Sequence, residues 1–258
     1  MDLRFDHAVV VVERLAEAVA TWRAAGFVVV PGGRHEEIPS ENALIVFEDG
    51  GYLELLAVRD EEERASLALR RARRGWEAGL RRAPAVARRF LPRLAGPPGV
   101  GDAAWRGVRL DRFAAESRRR GFPMTGPVAM SRERPGGTRL EWSLVLPVTD
   151  RLPLLIEDVT PRQWRVAVTP ENAAHPNGAR GVGEVVVRVA NVPMAALEYA
   201  DVFGARPEAH PDGATRVTLG DVSITLVEGE PEQAMGVRLR GVSVLPAAIV
   251  AAGVGGGG

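Results

Sequence analysis

The sequence predicts an α+β fold assembled from repeated βαβββ modules, with a helical insert after the first. Three observations carry this expectation. Short β-branched runs are separated by single amphipathic helices. The order strand, helix, strands recurs along the chain. The stretch that follows the first module is rich in arginine, helical in composition and free of strand pattern.

Bulk composition fits such a fold. The 258 residues are 46% hydrophobic and 26% charged, which are globular values. Basic and acidic residues balance at 33 each, so no net field favours nucleic acid. The absence of cysteine excludes a disulfide framework, a thiolate metal site and a cysteine nucleophile, and it fits a reducing cytoplasm. The first residues lack the pattern of a secretory leader, and no stretch reaches the roughly 20 apolar residues of a membrane helix. A cytoplasmic protein with no membrane partner is expected.

Residues 1–58 make the first module. Arg4 to Val12 reads as a strand because it is dominated by valine. Arg14 to Gly26 reads as a helix, with Leu15, Val19 and Trp22 at helical spacing and Gly26 as its stop. Phe27 to Pro31 is a strand, followed by a Gly-rich loop from Gly32 to Glu41. Asn42 to Gly50 is a strand ending in a turn, and Tyr52 to Val58 is the last strand. Residues 59–100 form the insert and a linker; Asp60 to Glu63 complement the dipole at its start. Residues 101–160 repeat the order, with strands near Ala103, after Phe122, from Thr138 and from Leu152, and a helix ended by Gly121. Residues 161–230 hold a third, degenerate module: a strand at Gly181 to Val189, a helix from Val192 to Gly204, and a hairpin. Residues 231–258 are a C-terminal segment with a Gly tail, expected to be flexible.

Aligning the copies sets His7 against Glu184 and Glu54 against Thr225. In the second copy the matching places fall near Trp105 and at Glu157. Glu54 stands between Leu53 and Leu55 and shares its face with Tyr52 and Leu56. A carboxylate on so apolar a face needs a partner, because an unpaired buried charge costs several kcal/mol.

The segments "FDHAVVVV", "GFVVVPGGRHEE", "ENALIVFEDGGYLELLAV", "LPLLIED" and "HPNGA" resemble the glyoxalase-like branch of the vicinal oxygen chelate superfamily. The resemblance implies cupped mixed sheets of paired βαβββ modules. It implies a first-strand ligand and a last-strand carboxylate from each module, together holding one divalent metal: Mn, Fe, Zn or Mg. Transferred by position, His7, Glu54 and Glu157 are the metal ligands. The fourth place, near Trp105 and Arg106, carries no His, Gln or Glu. His35 and Glu157 are the catalytic candidates, and Arg34, Asn42 and Trp105 the substrate-binding candidates. The implied activity is that of a metal-dependent lyase, isomerase or dioxygenase on a small oxygenated molecule, with no organic cofactor. The alternative is a metal-free small-ligand-binding or resistance protein on the same scaffold. A monomer or homodimer is expected. His175 and Asn177 read as turn residues, and the arginine-rich helices as a solvated face.

Overall fold

A computed structural model of the chain describes residues 2–133, 136–210, 213–229 and 233–257, with only the backbone at 233–235. Arg134 and Pro135, in the turn expected before the third strand of module two, lie outside the described residues. So do the expected boundary at 230 and 231 and the final glycine.

The first module is β1 (Arg4–Val11), α1 (Leu15–Ala24), β2 (Val30–His35), β3 (Ser40–Val46) and β4 (Tyr52–Val58). The insert comprises α2 (Glu61–Ala72), α3 (Trp76–Arg82) and α4 (Ala85–Leu94). Asp60 caps α2 by accepting from the Glu63 amide at 2.8 Å. The second module is β5 (Gly99–Arg106), α5 (Leu110–Arg119), β6 (Met124–Glu133), β7 (Arg139–Pro147) and β8 (Leu154–Asp158). Together the two modules close a barrel in the order β1-β4-β3-β2-β6-β7-β8-β5. Within each module the first strand lies parallel to the last, and β1 meets β5 antiparallel.

Two short helices, α6 (Arg162–Arg165) and α7 (Pro170–Ala173), lead to the third module: β9 (Gly181–Val189), α8 (Val192–Phe203), β10 (Pro207–Ala209), β11 (Thr215–Leu219) and β12 (Val222–Glu228). The chain then forms β13 (Gln233–Arg240), α9 (Ala247–Ala251) and β14 (Val254–Gly257). The second sheet has the order β10-β11-β12-β9-β13-β14. In that order β13 and β14 take the places that β5 and β8 hold in the barrel: β13 pairs antiparallel with β9 and parallel with β14. The C-terminal segment is thus an abbreviated fourth module. The glycine tail expected to be flexible is a strand over Val254–Gly257, because backbone pairing needs no side chains.

Two large apolar cores result among the described residues, beside a small cluster of Leu44, Val46, Tyr52 and Val166. One joins the outer barrel face, α1, α5, α8 and the second sheet, through Trp22, Trp105, Phe113 and Tyr199. The other fills the barrel and is sealed by the insert, through Val9, Leu56, Phe90, Trp142 and Leu144. Among the described residues no helix is long and apolar enough to cross a membrane.

Candidate functional site

Strand alternation in β1 and β4 places His7, Tyr52, Glu54 and Leu56 around one cavity inside the barrel. Val86 and Phe90 of α4, Met130 of β6, Trp142 and Leu144 of β7 and Leu154 and Ile156 of β8 supply its apolar walls. His35, Asn42, Arg132 and Arg165 complete a polar end. The insert is therefore part of the cavity wall, a role its arginine-rich composition concealed.

Glu54 sits at the centre of this end. His7 Nε2 lies 3.5 Å from its Oε2 and His35 Nε2 lies 3.7 Å from its Oε1. The Asn42 amide donates to Oε1. Asn42 Oδ1 in turn accepts from the Gly33 amide at 2.9 Å and from Arg132 Nη1 at 2.7 Å. Those two donors fix which way the Asn42 amide points, with its NH2 toward the carboxylate. Burial pushes the Glu54 carboxyl up, but His35, His7, the Asn42 hydrogen bond and Arg132 outweigh it and hold it below its ordinary value. Burial pushes His35 down to about 4, so its ring is neutral at physiological pH. Its Nδ1 is hydrogen-bonded with Ser40 Oγ at 2.9 Å.

The Gly-rich segment ahead of His35 belongs to β2. A Cβ at Gly32 would fall 1.9 Å from Asn42 Oδ1, and one at Gly33 would fall 2.3 Å from the Glu133 carbonyl. Glycine is needed there so that β2 can approach both Asn42 and β6. His35 was expected in a loop; it instead ends β2, pairs with Arg132 and is 7% exposed.

A charged network backs the cavity. Asp6, fully buried, receives His7 Nδ1 at 2.8 Å and Arg165 Nη1 at 3.0 Å, and also binds Arg162. Arg165 reaches Asp158 through Nε at 2.5 Å and the Tyr52 hydroxyl at 2.7 Å. Tyr52 stacks on the His7 ring, with centroids 4.7 Å apart. Burial pushes Asp6 up, but Arg165, the His7 hydrogen bond and Arg162 hold its carboxyl well below the carboxylate range.

Of the expected site residues, His7, His35, Asn42 and Glu54 come together. The other three do not. Glu157 lies on the opposite face of β8 from Ile156: its Oε2 accepts from the Leu110 amide at 3.1 Å, at the start of α5, and its Oε1 pairs with Arg109 at 3.2 Å. Trp105 faces the outer core, is fully buried and donates its indole N–H to the Leu219 carbonyl at 2.8 Å. Arg34 is exposed and paired with Glu41 at 3.7 Å. The correction is one of register. His7 pairs with Tyr52 two residues before the partner of Glu54, and Ala104 pairs with Leu154 two residues before Ile156. Ala104 and Ile156 therefore occupy the second-module places of His7 and Glu54.

That register decides the fit of a metal of the implied kind. Module one offers His7 and Glu54; module two offers a methyl and a sec-butyl group. His35 adds a nitrogen, yet among the described residues no group of three or more His, Asp or Glu side chains is arranged to hold a metal ion. The donor set does not fit the four-place site implied by the resemblance. Sequence reasoning missed Asp6, Arg132 and Arg165. Asp6 adjoins His7 in sequence and was readable as its neighbour, whereas the two arginines arrive from β6 and α6 with no local signal. His175 is structural: its Nδ1 accepts from the Val28 amide at 3.0 Å and its Nε2 lies 2.9 Å from the Val46 carbonyl.

Residues 5–203 match the glyoxalase-like domain family. Among solved structures, a hypothetical protein from Staphylococcus aureus is similar with a TM-score of 0.73 and 16% identity, over 94% of this chain and 92% of that one. A xylose isomerase-like TIM barrel/4-hydroxyphenylpyruvate dioxygenase fusion protein gives a TM-score of 0.52 and 12% identity. That similarity covers 92% of this chain and 36% of the fusion protein. At such identities the likeness establishes the fold alone. Comparison with curated proteins gives no match. The match over most of its length, together with the repeated modules that close its barrel, shows that the chain belongs to the glyoxalase-like domain family.

Proposed function

We propose that the chain is an acid–base enzyme of lyase or isomerase type that works without a metal on a small oxygenated molecule held in the barrel cavity. The observation that carries this reading is the His7–Glu54 pair at 3.5 Å, buried at the polar end of an apolar cavity, with Ala104 and Ile156 where further metal donors would stand. His7 Nε2 is the proton-accepting atom. Glu54, ionised and held by Asn42, steadies the imidazolium that forms. The apolar walls exclude water and so strengthen that interaction. His35, neutral at physiological pH, serves as a hydrogen-bonding group beside the substrate.

The test is deuterium incorporation from D2O into a panel of small aldehydes, ketones and carboxylic acids, followed by NMR. Wild-type protein is expected to exchange a proton on at least one of them. His7→Gln should slow that exchange by about 10²- to 10⁴-fold. A second reading, binding without turnover, rests on the same missing donors. Panel members that quench the cavity residue Trp142 in wild type but not in Trp142→Phe, with no deuterium exchange, would establish it in place of catalysis.

A further inference from the structure

The register of β1 changes between Phe5, which pairs with Trp105, and His7, which pairs with Ala104. Asp6 is thus the extra residue of a β-bulge. Phe5 and Ala8 both enter the outer core, so the two residues between them, Asp6 and His7, project consecutively to the other side. A regular strand would point them to opposite faces. The bulge instead delivers a carboxylate to the Nδ1 side of the His7 ring at 2.8 Å, leaving Nε2 toward Glu54 and the cavity. Asp6 is 0% exposed and is anchored by Arg165, Arg162 and Arg106, the last at 3.5 Å, so it has little freedom to swing away. Tyr52 stacks on the ring and limits its rotation.

We propose that Asp6 is the positioning residue of the site, placed by the β1 bulge to keep the proton on His7 Nδ1 and the lone pair of Nε2 facing the cavity. This rests on the proton-transfer reading given above, but its test does not depend on any substrate. An aspartate can only accept from Nδ1–H, whereas an asparagine can turn its NH2 toward Nδ1 and favour the other tautomer.

The test is the histidine side-chain ¹H–¹⁵N long-range spectrum, recorded well above the ordinary histidine pKa of about 6.5. His7 is assigned by the signals lost in His7→Gln. In wild type the Nδ1–H form should predominate. In Asp6→Asn the population should shift so that Nε2–H predominates. Arg162→Gln removes an anchor of Asp6 without touching His7; it should lower the melting temperature and leave the tautomer unchanged. An Nε2–H form predominating in the wild type overturns the proposal, as does an Nδ1–H signal that survives Asp6→Asn. Should Asp6→Asn fail to fold, the wild-type and Arg162→Gln spectra decide: both must show Nδ1–H. Absence of deuterium exchange would remove the catalytic reading while leaving the tautomer result standing.

Discussion

Modules one and two share a topology and a register but not a chemistry. In the first, the strand pair β1 and β4 turns His7, Tyr52 and Glu54 inward. In the second, β5 and β8 turn Ala104, Leu154 and Ile156 to the equivalent places. Polar groups at one end of the barrel are held by charge, through Asp6, Arg132, Arg165 and Asp158. The facing part of the cavity is lined by apolar side chains, and the buried ion pair of that half, Arg89 with Asp102 at 2.6 Å, joins the insert to β5 away from the cavity lining. Module three offers a further variant, with Glu184 and Thr225 at those places, hydrogen-bonded to each other, and Glu184 paired with Arg238 at 2.9 Å. The lesson is that the βαβββ frame fixes where side chains converge and leaves open what they are. One module of the barrel carries the His7–Glu54 pair, and the other shapes the space in front of it.

This contrast can be broken most forcefully at Arg165. Arg165→Ala leaves Asp6 with fewer counter-charges and should cost about 3–5 kcal/mol in denaturant unfolding. A loss below about 1 kcal/mol would mean that the charged half is not held by its ion pairs.

Acidification sharpens the contrast next. His35 titrates at about 4 when folded and near 6.5 when unfolded. Between those values the unfolded chain binds a proton that the folded chain does not, so stability falls as pH is lowered through that window. The expected loss is about 3 kcal/mol. Glu54, with its pKa depressed, contributes stability that is lost only below about 4.3, so it does not mask the His35 window. His35→Gln should reduce the slope between pH 6.5 and 4, leaving the contribution of His175, which burial also lowers, and the loss below pH 4; an unchanged profile would contradict the burial of a neutral ring.

The smallest effect is expected at Glu157. Glu157→Gln weakens the cap on the Leu110 amide and the pairing with Arg109, and should cost about 1 kcal/mol or less, with proton exchange at the His7 site unaltered. A large drop in exchange would return Glu157 to the site.

Much of the fold was legible because hydrophobic period and helix stops are local. The valine run of β1, Gly26 after α1 and the YLELLAV strand announce their own elements, and their recurrence announces the modules. The positions of His7 and Glu54 were legible because both sit in strongly patterned strands. Glu157 was misread because a strand alternates with period two, so a shift of one residue exchanges the inner and outer faces. In the second module, "LLIED" offers a carboxylate one place beyond the inward position taken by Ile156. The tail was misread because glycine composition reports flexibility of an isolated chain, while β13 supplies an edge on which it pairs. Arg132 and Arg165 were not legible, since each is brought to the cavity only by closure of the barrel.

Elemental analysis for divalent metals, on protein purified without chelator and compared with His7→Ala, is the most direct single measurement of a site built on His7 and Glu54 alone. Wild type and variant should both hold far less than one equivalent of Mn, Fe, Zn or Mg per chain. One equivalent in the wild type, lost in His7→Ala, would contradict the metal-free reading and show that the cavity completes a metal site with the donors it has.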